Sequence, residues 1–198
     1  MNKAAIVTVG IDEYDANTAE LVSSVLVHEH EIFDIAIVDN AASPAYPNWP
    51  FIHRMDEQTS YAAAINYGIS KTDAEWLLTM NNDVVCNGEF VPMLEQLLPG
   101  VYGKVMMNEF GFGSAWLDGW IMVIHREVWD AVGPFDENFL KAGFEDADYC
   151  WRAELAGYPF EKVDLPFYHK DAHTRYTVEE YFAQRSRNMQ YLREKWSL

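Results

Sequence analysis

Short, almost unbroken apolar runs alternate along this chain with longer segments whose apolar residues recur at helical spacing. Residues 4–9 are apolar and β-branched and stop at Gly10; residues 33–38 are nearly as apolar and stop at Asp39-Asn40. Runs of this kind suit strands buried on both faces. Between them, residues 17–30 carry Leu21, Val25 and Leu26 at helical spacing, which predicts a helix with those three on its buried face. Strand, helix, strand predicts a right-handed crossover and an α/β sheet. Ligands of such sheets bind beyond the carboxyl ends of the strands, which is where Asp39 falls.

The same alternation continues. A loop with three prolines (residues 40–50) leads to a short strand at 51–53, a helix at 59–70 and a strand at 75–80 that ends in Asn81-Asn82-Asp83. A helix is expected at 89–98, stopped by Pro99-Gly100, then a strand at 101–107 and a glycine-rich loop at 108–113. Residues 116–124 read as a strand broken at Asp118-Gly119, and 127–132 as a short helix. Gly133-Pro134 then turns into an acidic loop and a helix that opens with Glu145, Asp146 and Asp148, where free N–H groups and the helix dipole favour negative charge. Gly157 closes that helix. Short strands follow at 160–163 and 167–168. The terminal helix, Val178–Trp196, has Tyr181, Phe182, Met189, Leu192 and Trp196 as apolar sites. The pattern predicts a Rossmann-like, mostly parallel central sheet flanked by helices over residues 1–176. Residues 177–198 form a C-terminal helix that packs on the domain, forms a homodimer or docks a partner.

Composition narrows the function. With 198 residues and 49% hydrophobic content, the chain can bury one sizeable core. Its net charge of −17 argues against binding a nucleic-acid backbone or an anionic membrane surface, both of which want a basic face. An acidic protein that handles an anionic nucleotide needs a divalent cation to do so. Two cysteines, Cys86 and Cys150, make no disulfide framework and point to a reducing cytoplasm. No apolar run is long enough to span a bilayer and no signal peptide is evident, so a soluble, cytoplasmic protein is expected.

Several polar residues read two ways. Asp39 is a turn residue or a ligand, and Asn81-Asn82-Asp83 is an ordinary Asn/Asp turn or a set of oxygen ligands for Mg²⁺ or Mn²⁺. Trp116 and Trp120 are core aromatics or platforms for sugar rings. Asp118, between them, is a carboxylate that needs partners. Asp148 and Arg152, four apart, suit a structural ion pair. His169 and His173 compete for one role, and His28 and His30 read as solvated helix-end residues.

Gly133-Pro134-Phe135-Asp136-Glu137-Asn138-Phe139, then Glu145-Asp146-x-Asp148-x-x-x-Arg152, Gly157-Tyr158, Leu165-Pro166 and His169-Lys170 resemble the C-terminal half of family 2 glycosyltransferases of GT-A fold, closest to the rhamnosyltransferase-like branch. The likeness runs from about residue 4 to residue 173 and is densest over 117–170. It implies inverting transfer of a sugar from a nucleoside-diphosphate donor to an acceptor hydroxyl, with Mn²⁺ or Mg²⁺. By the same likeness, Asp146 is the base and Glu145 holds the loop or an acceptor hydroxyl. Thr8, Asp39, Asn66, Asn81, Asn82 and Asp83 line the donor nucleotide, and Asp83 with His169 attends the metal. Trp116, Asp118, Gly119 and Trp120 floor the sugar and acceptor side.

This sequence departs from the family in three places. Asn81 stands where the family's metal motif has its first Asp, Pro44-Ala45 follows Ser43 where an Asp is usual, and Gln58-Thr59-Ser60 replaces an Asn-x-Gly. Two other classes compete. A non-catalytic nucleotide-sugar or glycan-binding module would bind without turnover. A sugar-1-phosphate nucleotidyltransferase would want a basic, glycine-rich phosphate loop early in the chain, and Thr8-Val9-Gly10-Ile11-Asp12-Glu13 has no basic residue.

Overall fold

The structure is a computed structural model that describes residues 3–11, 16–30, 33–108, 111–170 and 178–198. In chain order the elements are β1 (Ala4–Gly10), α1 (Ala16–His28), β2 (Phe33–Asp39), β3 (Ile52–Arg54), α2 (Tyr61–Ile69), β4 (Trp76–Met80), β5 (Val84–Cys86), α3 (Val91–Leu94) and β6 (Val101–Gly103). Then come β7 (Met106–Met107), β8 (Trp116–Leu117), β9 (Ile121–His125), α4 (Arg126–Val132), α5 (Glu145–Leu155), β10 (Phe160–Lys162), β11 (Phe167–His169) and α6 (Val178–Trp196).

The main sheet has the order β10-β6-β9-β4-β1-β2-β3. β1 pairs in parallel with β2 and β4, β2 with β3, and β6 with β10; β9 runs antiparallel between β4 and β6. The apolar run of β1 explains its central place, because all seven residues are buried. Ile6 faces α1 and α3 with Leu78, Met80, Leu21, Val25 and Phe90, whereas Val7 and Val9 face α2 and α5 with Leu77, Ile65 and Tyr149. Gly68 lets α2 lie directly on the sheet: a Cβ there would fall 2.5 Å from Val7 Cγ1.

Three expectations are corrected. Leu26 is exposed, because the buried stripe of α1 runs through Thr18, Leu21 and Val25 and Leu26 lies 100° beyond Val25. The expected helix at 89–98 shrinks to the single turn of α3. The expected strand at 101–107 splits into β6 and β7, which join different sheets. Gly103 sits tightly against the Ile121 carbonyl, and β7 then turns away to pair with β8. One strand was not expected at all. β5 leaves Asp83 and pairs antiparallel with β11, setting His169 opposite Val84.

The C-terminal helix docks through one buried carboxylate. Asp148 Oδ2 accepts from Arg152 Nε at 2.8 Å, while Oδ1 accepts from Trp196 Nε1 at 3.0 Å and pairs with Lys195 Nζ at 2.7 Å. Arg152 also donates to the carbonyls of Val132 and Pro134, tying down the turn before the acidic loop. Farther along α6, buried Asn188 brackets that loop: its Oδ1 accepts from Leu140 N–H, and its Nδ2 donates to the Leu140 and Gly143 carbonyls. Truncating one partner of a buried, hydrogen-bonded pair is strongly destabilising. Asp148→Ala is therefore expected to cost about 3 kcal/mol, the low end because Arg152 and Lys195 reach water. Urea unfolding measures it, and a loss below about 1 kcal/mol shows that α6 is held by other contacts.

Candidate active site at the carboxyl ends of the strands

Two clusters meet at the end of the sheet where β4 and β9 join. The first follows β4. Asn81 N–H bonds to the Trp120 carbonyl, which fixes the start of the Asn81-Asn82-Asp83 turn. Asn82 Nδ2 donates to Thr18 Oγ1, tying the turn to α1. The β5–β11 ladder, continued by Lys170 N–H to the Asp83 carbonyl, brings His169 across the turn. His169 Nε2 lies 3.1 Å from Asp83 Oδ1 and 3.3 Å from Asn81 Nδ2. The Trp120 ring stacks on the imidazole at 5.1 Å and 7°, so it orients the histidine.

This donor set fits a divalent cation. Neighbouring ligands on an octahedral ion with bonds of about 2.1 Å stand about 3 Å apart, which is the Asp83–His169 separation. Among the described residues no three His, Cys, Asp or Glu side chains gather into a cage. An ion held by two side chains would be completed by substrate phosphates and water, the usual habit of Mg²⁺. His173, the rival histidine, lies outside the described residues.

The second cluster is the first turn of α5. Phe144, the residue before the helix, is left-handed (φ 71°), as is Lys141 (φ 54°), and Gly143 has φ 112°. Such conformations persist in non-glycine residues only where surrounding contacts over-determine them. Here Asn188 holds the loop backbone, and Gly143 N–H donates to Glu145 Oε2 at 2.5 Å. Asp146 Oδ2 accepts from Gly119 N–H at 2.9 Å. A Cβ on Gly119 would come within 3.0 Å of Asp146, so this close approach needs glycine.

Burial raises three carboxyls here. Glu145 rises most, through burial and then the charge of Asp146; Asp146 rises to about 6, through burial and then the charge of Asp118. Asp118 is also raised by burial, partly offset by His169. Helix-terminal N–H groups favour the ionised forms, but desolvation is the larger effect, contrary to the expectation from the helix dipole alone.

The expected residues do not all converge. Asn66 spends its amide on the acidic loop: Nδ2 donates to the Phe135 carbonyl and to Glu137, and Oδ1 accepts from Phe135 N–H. It braces that loop. Trp116 is buried among Phe112, Phe144 and Trp151 and has no open face for a sugar. Asp39 is fully buried and accepts from Ala42 and Tyr46 N–H and from Arg54, so its carboxylate shapes the 40–46 loop. Thr8 is buried, with no hydrogen-bond partner for its hydroxyl among the described residues. Sequence reasoning missed Tyr61, whose hydroxyl is sealed from solvent and sits in the fields of Glu145, Asp146 and Asp83. A tyrosine opening an apolar helix carries no signal of its own; only the fold buries its hydroxyl.

Comparison with known proteins bears on the fold and the family likeness. Residues 11–100 match the family described as Glycosyl transferase family 2. The chain is similar to the uncharacterised protein y4gI of Sinorhizobium fredii, 34% identical over 80 residues, which cover 38% of this chain and 9% of that one. In structure it is similar to the mannosyltransferase PcManGT from Pyrobaculum calidifontis in complex with GDP-Man and Mn²⁺ (TM-score 0.68, 13% identity, 95% of this chain and 62% of that one). It is also similar to S. aureus TarS (TM-score 0.65, 12% identity, 92% and 38%). The likeness to family 2 glycosyltransferases is thus shown on a match independent of the C-terminal motifs, and the fold is GT-A. The rhamnosyltransferase-like branch is not singled out. The chain spans less than two thirds of the length of each of these relatives.

A carboxyl raised in the folded state binds its proton more tightly than the unfolded chain does. Stability is therefore fully present below the ordinary carboxylate range and is lost as pH rises toward the folded value. Glu145→Gln removes that loss. Its melting temperature is expected to gain on the wild type progressively between about pH 5 and pH 8. A constant difference across that window shows that Glu145 carries no raised pKa.

Proposed function

We propose that this chain transfers a hexosyl or deoxyhexosyl unit from a nucleoside-diphosphate sugar to an acceptor hydroxyl, by one displacement that inverts the anomeric carbon. The observation that carries the reading is the meeting of the Asp83–His169 pair with a raised carboxylate, Asp146, held by Gly119 N–H. The GDP-Man and Mn²⁺ bound by the mannosyltransferase neighbour support a nucleotide-sugar donor and a divalent cation. Asp83 and His169 hold that cation, which when bound offsets the charge developing on the leaving diphosphate.

Asp146 accepts the proton of the acceptor hydroxyl as that oxygen forms its bond to the anomeric carbon. The bond from that carbon to the diphosphate oxygen breaks, and its electron pair leaves with the diphosphate. A hydroxyl is a far weaker acid than a carboxylic acid, so proton transfer is late and concerted with attack. Raising Asp146 narrows that gap while leaving it largely ionised at neutral pH. Glu145, raised further, is the neutral member of the pair and keeps a second negative charge from the attacking oxygen. Trp120 and Asp118 act from the β8–β9 side, Trp120 by aligning His169 and Asp118 by facing both His169 and Asp146. Cys86 and Cys150 are buried free thiols, which suits a reducing compartment. No described helix is long and apolar enough to cross a membrane.

Thermal unfolding against UDP, GDP, dTDP and CDP, each with and without Mn²⁺, tests the site. A ligand at 100 times its dissociation constant adds about 2.7 kcal/mol, readily seen in the midpoint. One nucleotide is expected to stabilise the protein only with metal, and Asp83→Ala to abolish that shift. Asp146→Asn should keep the shift and lose at least about 100-fold in turnover, the lower end of general-base effects. In the wild type, kcat/KM should climb with pH through about 6, because the base acts ionised. Normal turnover by Asp146→Asn overturns the base assignment, and a metal-dependent shift surviving Asp83→Ala moves the cation elsewhere.

A further inference from the structure

Arg54 ends β3 beside Asp39, which ends β2, and Asp39 lies beside Gly10 at the end of β1. These three ends form a row at the carboxyl end of the sheet, where ligands of α/β folds bind. Asp39 has little left to offer a ligand there. Its carboxylate is buried, with Oδ1 accepting from Ala42 N–H and Oδ2 from Tyr46 N–H and Arg54 Nη1. Arg54 is the member of the pair that reaches solvent, with 47% of its side chain exposed. Both of its side-chain hydrogen bonds to described residues leave from Nη1, one to Asp39 Oδ2 and one to the Ala42 carbonyl. The two hydrogens of Nη1 are thereby spent. Nε–H and the Nη2–H beside it remain as a planar pair of parallel donors, with the guanidinium anchored from its Nη1 end.

We propose that the Nε–Nη2 edge of Arg54 reads the nucleobase of the donor and selects guanine through its O6 and N7. The inference rests on the transferase reading above and names the donor's nucleobase within it. In that reading the diphosphate lies beyond β4, with the cation at Asp83 and His169. Asp146, the proton acceptor, meets Gly119 on the β9 side of β4. The sugar lies on that side, so the nucleoside extends the other way, over β1 and β2. Two strand spacings, roughly 10 Å, separate β4 from β2, a span that an extended nucleoside diphosphate covers. Arg54, bonded to Asp39, stands at the far end of that span. Asp39 offsets its charge, so the guanidinium offers directed donors more than a pull on phosphate. Guanine presents two adjacent acceptors, O6 and N7, that match such a pair. Uracil and thymine present a single O4 there, and cytosine presents an amino donor that opposes it.

Isothermal titration calorimetry with GDP, UDP, dTDP and CDP, each with Mn²⁺, tests this. The wild type is expected to bind GDP about 5- to 150-fold more tightly than the other three, the range of one bidentate base contact. 7-Deaza-GDP lacks the N7 acceptor and should bind roughly 2- to 12-fold more weakly than GDP, the range of one hydrogen bond. That comparison uses the wild type, so it stands whether or not a variant folds. Arg54→Lys keeps a cation beside Asp39 but has no planar pair of donors. It should erase both the preference for GDP and the 7-deaza penalty, with UDP affinity and melting temperature close to those of the wild type. A wild type that prefers another nucleotide, or binds all four alike, overturns the proposal. So does 7-deaza-GDP binding as tightly as GDP, or a GDP preference that survives Arg54→Lys. An equal loss for all four nucleotides in Arg54→Lys marks the residue as a phosphate contact or a brace for the 40–46 loop, and overturns it too. A wild type that binds no nucleoside diphosphate overturns the transferase reading first, and this inference with it.

Discussion

Asp148 is the carboxylate on which the geometry of the site hangs. It is buried without access to water, so each of its oxygens needs a partner, and the partners come from its own helix and from the end of α6. Arg152 ties it to its own helix and to the turn at Gly133-Pro134, while Trp196 and Lys195 bring in the end of α6. With α6 docked, Asn188 lies where it can bracket the 140–143 backbone. That loop delivers Phe144 in a left-handed conformation, and Glu145 and Asp146 follow from it. A buried charge two residues from the proposed base thus sets the base's position without touching substrate.

The electrostatics of the site follow from the same crowding. A chain of net charge −17 has few cations to spare, and Arg185, over the Phe144 ring, is one that reaches the acids at this end. Glu145, Asp146 and Asp118 are stabilised mainly by backbone N–H groups, and burial raises all three. Near neutral pH such a cluster shares protons instead of carrying full charge, which suits a site that must take a proton from a hydroxyl. Across from it, Asp83 and His169 lie within hydrogen-bond distance of each other. The Tyr61 hydroxyl at the start of α2 is sealed from solvent without a hydrogen-bond partner among the described residues. Leaving a polar group unsatisfied costs stability, and active sites are where proteins tolerate that cost.

Much of this was legible along the chain because its signals are local. Apolar runs of β1, β2 and β4, the helix α2 and the acidic opening of α5 each announce themselves within ten or so residues, and the strand-end rule put Asp39 at the carboxyl end of the sheet. The same locality misled at Asn66 and Trp116. The partners of Asn66 lie 69 and 71 residues away in the acidic loop, and Trp116 meets Trp151 and Phe144 only after β8 has packed on α5.

By itself, then, the sequence determined the α/β alternation, the helix-opening acids and the motif positions, because periodicity, capping and turn chemistry act between near neighbours. Tertiary structure alone decided which polar residues share a site. The β5–β11 ladder set His169 against Asp83, Gly119 reached Asp146 across 27 residues, and α2 turned the Tyr61 hydroxyl inward. Those contacts depend on strand register and on the approach of distant backbones, which no stretch of the chain encodes alone.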